Sequence, residues 1–141
     1  MKKRIPLLLA LLILGAAALM PMASAQDYRQ ITMDEAVAMM ESETGYIILD
    51  VRTVSEYESG HIPGAICIPN ETIGTAEIPE LPDKDQLILV YCRSGNRSKQ
   101  ASTKLAALGY TNIVEFGGIY PWPGKVIAGP DPIPAESDAT L

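Results

Sequence analysis

Two kinds of apolar spacing alternate along the chain from residue 28 to residue 116. "YIILDV" (46–51) and "LILVY" (87–91) are unbroken apolar runs rich in branched side chains, the pattern of strands buried on both faces. Shorter runs, "YRQI" (28–31), "ICI" (66–68) and "NIVEF" (112–116), read as further strands. Between them the apolar positions fall at helical spacing. Met33, Ala36, Val37 and Met40 predict a helix over 33–42, which Gly45 ends. Ala101, Leu105 and Leu108 predict one over 98–108, with Gly109 closing it. "TMDE" (32–35) and "TVSE" (53–56) each set a threonine three residues before a glutamate, the signature of a reciprocal helix cap. The second opens a short helix before the turn "GHIPGA" (60–65). Residues 70–86 are polar, with prolines nearby, and predict a loop with at most one helical turn. After Trp122 proline, glycine and acids dominate, and fraying is expected. Strands alternating with helices predict an α/β fold with a largely parallel sheet, in which ligands bind beyond the carboxyl ends of the strands.

The first 25 residues follow a different rule. Lys2, Lys3 and Arg4 precede an almost wholly apolar run from Ile5 to Met20, and Ala23-Ser24-Ala25 supplies a small-x-small ending. These are the three parts of a cleaved export signal; the run is somewhat short for a membrane span of about 20 residues. The reading is therefore a signal peptide over 1–25, one domain over 26–128, a Pro/acid-rich tail over 129–141, and an exported product, periplasmic or secreted. Cleavage leaves 116 residues, enough for one core. It also removes three positive charges and takes the formal net charge from −6 to −9. So acidic a domain repels polyanions, which argues against nucleic acid as a partner. No membrane contact is expected after cleavage, and nothing demands more than a monomer.

The chain has two cysteines and one histidine, with no CxxC pair, so neither a metal site nor another cofactor is indicated. Cys67 sits within "GAICIP" and reads as a small apolar strand residue. Cys92 is different. It ends a buried run and is followed by "RSGNRS" (93–98), where a helix begins. A thiolate is the nucleophilic form of cysteine, and a free thiol is only a few per cent ionised at neutral pH. The loop supplies means of holding negative charge on sulfur: the positive end of the following helix, the cations Arg93 and Arg97, and Gly95, which lets successive N–H groups face one centre. Ser94, Asn96 and Ser98 add short donors. The candidate site is thus Cys92 as nucleophile, with Arg93, Ser94, Gly95, Asn96, Arg97 and Ser98 around an anionic substrate.

In order, "ILDVR" (48–52), "EYESGHIPGAICIP" (56–69), "LILVYCRSGNRS" (87–98), "KQASTKLAALGY" (99–110) and "VEFGGIYPW" (114–122) make the chain similar to the single-domain rhodanese family. The resemblance implies a three-layer α/β sandwich around a five-stranded, mostly parallel sheet. It also implies sulfurtransferase activity. Sulfane sulfur would pass from a small anionic donor such as thiosulfate to a thiol or cyanide acceptor through a persulfide on Cys92, with residues 93–97 holding the donor. Asp50, Arg52 and His61 match positions that support the fold. The chain departs from the family at Cys67, where asparagine is common, and in the proline-rich "IYPWPG" (119–124), which bears on the pocket rim.

Two other functions share these residues. A sulfur-carrier or partner-binding module would use the same Cys92 with a protein sulfur acceptor and little turnover of free substrate. Cysteine phosphatases and arsenate reductases need five residues between cysteine and arginine; here four separate Cys92 from Arg97, a loop one residue short for encircling phosphate. The family's strand order would set the "YIILDV" strand between Cys67 and Cys92. Two strand spacings, about 9–10 Å, exceed the Cα separation of about 7 Å that a disulfide allows, so no bond between them is expected.

Overall fold

A computed structural model describes residues 27–130. Five strands, β1 (Arg29–Gln30), β2 (Ile47–Asp50), β3 (Ile66–Cys67), β4 (Ile88–Cys92) and β5 (Ile113–Gly118), form one sheet in the order β1-β5-β4-β2-β3. Every pairing in it is parallel. The fold is the expected α/β sandwich. Helix α1 (Met33–Ser42) and helix α2 (Val54–Ser59) cover one face, and α3 (Asn96–Ala107) covers the other.

The sequence builds these layers for local reasons. Thr32 and Thr53 cap α1 and α2, and Glu35 and Glu56 return the bond to the cap backbone, so both reciprocal boxes close. Met33, Ala36, Val37 and Met40 all face one apolar cluster, with Tyr57, Ile62, Leu89 and Phe116. Ala101, Leu105 and Leu108 lie against the other, with Leu49, Val90 and Cys92. β4 is central in the sheet and buried at all five positions, which matches its unbroken apolar run. At the end of α3 the Gly109 N–H bonds to the Ala106 carbonyl and the Tyr110 N–H to that of Leu105, as the glycine stop predicts. The loop after β3 holds a single 3-10 turn, Asn70–Thr72.

Two boundaries that bear on the site differ from the sequence reading. α3 begins at Asn96, two residues before the predicted start, and β4 runs on to include Cys92. The chain after Trp122 is also more ordered than its composition predicts. Ile127 forms a two-way antiparallel bridge with His61, both bonds 2.9 Å, and the Gly129 N–H reaches the Glu58 carbonyl at 3.0 Å. Backbone pairing to a fixed turn outweighs the weak local preferences of Pro and Gly. The remainder of the predicted tail, 131–141, and the predicted signal peptide lie outside the described residues.

Cys67 and Cys92 are in no disulfide. β2 separates their strands, and Cys67 packs against the α1/α2 cluster while Cys92 belongs to the α3 cluster.

Candidate active site

Cys92 is the last residue of the central strand and is 1% exposed. Its neighbours are fixed by the turn that follows. Gly95 adopts φ +102°, a conformation that L side chains rarely take, and serves as the N-cap of α3 with no side-chain cap. That turn brings the Gly95 N–H to 3.0 Å from Cys92 Sγ. The twelve-residue α3 thus points its positive end at the sulfur. Beneath the loop Gly118 pairs with Cys92, and a Cβ there would lie 2.8 Å from Ser94 Cα and collide with the Arg93 carbonyl. The loop rests directly on bare backbone.

The predicted cradle residues divide into three groups. Gly95 and Ser98 are buried and touch the sulfur; Ser98 Oγ is 3.3 Å from Sγ. Arg93, Ser94 and Asn96 are exposed on the outer rim, where the Arg93 Nε–H donates to the Tyr120 hydroxyl. Arg97 is half-buried and forms a two-pronged pair with Glu56 at 2.7 and 2.9 Å. The sequence marks Arg97 as a cation near the sulfur; in the fold its fork is held by the same carboxylate that caps α2. The hydrogen bond from Arg97 chiefly, with smaller help from the Thr53 backbone, pulls the Glu56 carboxyl down to about 2 against its burial. The Arg97 guanidinium is raised in turn, chiefly by that bond, with a smaller contribution from nearby Cys92.

A hollow of about 230 Å³ opens beside this rim, lined by Arg52, Glu56, Ser59, Arg93, Ile119 and Tyr120. Its floor is stiff. Arg52 pairs with the fully buried Asp50 at 2.7 Å and also donates to the Gly60 carbonyl, which ties the end of β2 to the end of α2. His61 stacks on Tyr57 with ring centroids 3.6 Å apart, and its Nδ1 lies 2.9 Å from the Tyr57 carbonyl. The geometry sets Asp50, Arg52 and His61 in the framework around the hollow. Tyr91, between these groups, has its hydroxyl pushed well above the usual range by burial and by nearby Asp50. Another hollow, bordered by Asp27, Tyr28 and Thr111, sits at the opposite end of the strands and shares no residue with the loop.

Sequence reasoning missed Glu115. It is 2% exposed on β5 and accepts from Ser98 Oγ at 2.6 Å and from the Gly117 N–H at 2.8 Å. Its one sequence signal is a charge inside an otherwise apolar strand.

The family model described as a rhodanese-like domain matches residues 32–124. The chain belongs to that family. It is 37% identical over 71 residues to the thiosulfate sulfurtransferase PspE of Escherichia coli, covering 50% of this chain and 68% of that one. It is 31% identical over 105 residues to the putative sulfur carrier protein YrkF of Bacillus subtilis, covering 72% of this chain and 55% of that protein's length. Among solved structures, a rhodanese-like domain from Anabaena sp. superposes with a TM-score of 0.64 at 28% identity, over 79% of this chain and 89% of that one.

Proposed function

We propose that the protein moves sulfane sulfur from a small anionic donor to a thiophilic acceptor, with Cys92 as the carrier. The observation that carries this is the seat of Cys92: a nearly solvent-free sulfur at the end of the central strand, with a backbone N–H donating to it and an uncapped helix end behind it. In the first step the Cys92 thiolate attacks the outer sulfur of a donor such as thiosulfate. The Cys92–sulfur bond forms, the donor's S–S bond breaks, and sulfite leaves with the electron pair. In the second step cyanide or a thiol attacks the outer persulfide sulfur and the Cys92 thiolate is released. Gly95 and the first turn of α3 hold the negative charge in both steps. Arg93 and Arg97 steer an anion to the rim.

Intact mass after incubation with thiosulfate tests this. The protein should gain one sulfur atom, and Cys92→Ser should neither gain it nor turn over thiosulfate and cyanide. Retained turnover in that variant would remove Cys92 from the mechanism, and turnover of an aryl phosphate without the mass gain would favour phosphatase chemistry.

A protein acceptor is the second reading, supported by the similarity to a putative sulfur carrier. Persulfide that is stable to cyanide yet discharged by one purified thiol protein would establish it. The basic, apolar and small-residue segments of 1–25 support export. A mature N-terminus at Gln26 in the periplasmic or secreted fraction is the corresponding check.

A further inference from the structure

A candidate proton acceptor for Cys92 stands behind the loop. Ser98 Oγ stands between two acidic groups, 3.3 Å from Cys92 Sγ and 2.6 Å from Glu115 Oε1. Cys92 is 1% and Glu115 2% exposed. Among the described residues Glu115 has no cation within ion-pair distance. Two negative charges separated by one hydroxyl, in so dry a place, repel strongly.

We propose that Cys92 and Glu115 share a single proton through Ser98, so that the thiolate forms by internal transfer. The transfer balances. The Cys92 S–H bond breaks as its proton passes to Ser98 Oγ, and the Ser98 O–H bond breaks as its own proton passes to Glu115 Oε1. Both hydrogen bonds survive with their directions reversed, and no proton enters or leaves the protein. Before the transfer the thiol donates to Ser98, whose one proton takes the 2.6 Å contact with the carboxylate over the Gly95 carbonyl at 3.0 Å. Afterwards Ser98 donates to the thiolate, which already accepts from the Gly95 N–H. Glu115 acts through Ser98 and is a positioning residue.

Charges from every neighbouring element bear on the balance. Arg97, on the first turn of α3, favours the charge on sulfur, while Glu56 offsets Arg97 and Glu71 also faces it; Arg93 stands on the outer rim against Tyr120. Glu115 borders a second hollow, about 320 Å³, which it shares with Glu35 of α1 and Lys99 of α3. That hollow also borders Ser94 and Gly95 of the loop, and it shares no lining residue with the hollow between Arg52 and Tyr120.

The inference rests on Cys92 being the nucleophile, and its test does not use sulfur transfer. Alkylation of Cys92 by iodoacetamide is followed by intact mass from pH 5 to pH 9, in a Cys67→Ala background. The shared proton predicts two steps in rate with a nearly level stretch between them. Glu115→Gln should give one step, with the rate falling about tenfold per pH unit below it. Single steps in both proteins overturn the proposal, whether they coincide or are displaced; displacement would make Glu115 only a fixed charge. Infrared difference spectra of the unsubstituted protein give a reading independent of the glutamine variant. The S–H and carboxylic-acid C=O bands should appear in the same pH step, and both should be missing from that step in Cys92→Ser. An S–H band that appears with no acid band overturns the proposal.

Discussion

The two helices on one face and the helix on the other begin in opposite ways. α1 and α2 are closed by threonine–glutamate boxes that satisfy their first N–H groups internally. α3 has a left-handed glycine at its N-cap and no side-chain cap. The closed ends hold the framework; the open end leaves N–H groups and a partial positive charge directed at Cys92. Opening one of the first two should therefore affect stability and spare chemistry, whereas disturbing the third should do the reverse or worse.

The largest effect is expected at Gly118, which supports the open end from below. Gly118→Ala puts a methyl group onto the Arg93 carbonyl and within 2.8 Å of Ser94 Cα. Displacing the loop should cost about 3 kcal/mol in urea unfolding and about a hundredfold in the donor half-reaction. An unchanged rate would mean that the loop is not held by that contact. Next is Arg97→Ala, which takes a cation from the open end and leaves Glu56 without its fork. Loss of one charge-assisted contact, about 1.5–3 kcal/mol, slows thiosulfate turnover by roughly tenfold to a hundredfold. Unaltered thiosulfate kinetics would show that Arg97 serves only the α2 junction.

The closed ends give smaller numbers. Thr32→Ala should lower stability by about 1 kcal/mol, with sulfur-transfer rates unchanged after correction for folded fraction. A comparable drop in rate would erase the contrast between the two kinds of helix end. The smallest effect is the pH response of Glu56. Its folded carboxyl lies at about 2 against an ordinary value of 4.5. A depressed acid stabilises the fold above its unfolded value, and that contribution is lost as pH falls from about 4.5 toward 2. Glu56 is partly exposed, so the ion pair contributes at most about 1 kcal/mol. Glu56→Gln retains the cap geometry and should flatten this part of the stability–pH curve. An unaltered curve would assign the acid response elsewhere.

The parts legible in sequence are those fixed by short-range rules. Met33 to Met40 and the two threonine–glutamate pairs carry their own periodicity and caps, and both appear where predicted. The start of α3 was misplaced because a left-handed glycine leaves no side-chain signature like that of Thr32 or Thr53. The seven loop residues could be named, yet not sorted. Arg97 finds Glu56, 41 positions away, only once the sheet is assembled. Glu115 and Ser98 are 17 apart and meet because α3 crosses back over β5. The pairing of Ile127 with His61 is likewise long-range and overrides a composition that predicts a loose end.

The ladder beside the nucleophile has a mismatch in length. From Val90 to Cys92 the central strand takes two steps, while its partner takes three from Glu115 to Gly118. Side chains alternate along a strand, so one extra residue changes which face everything beyond it meets. Here it lets Glu115 face α3 while Gly118, an odd number of steps later, still sits under the loop. The unit that could be grafted into another parallel sheet is therefore not residues 92–98 alone. It is two strand ends of unequal count, 90–98 with 115–118. A recipient lacking the extra residue would receive the nucleophile with the wrong neighbour behind it.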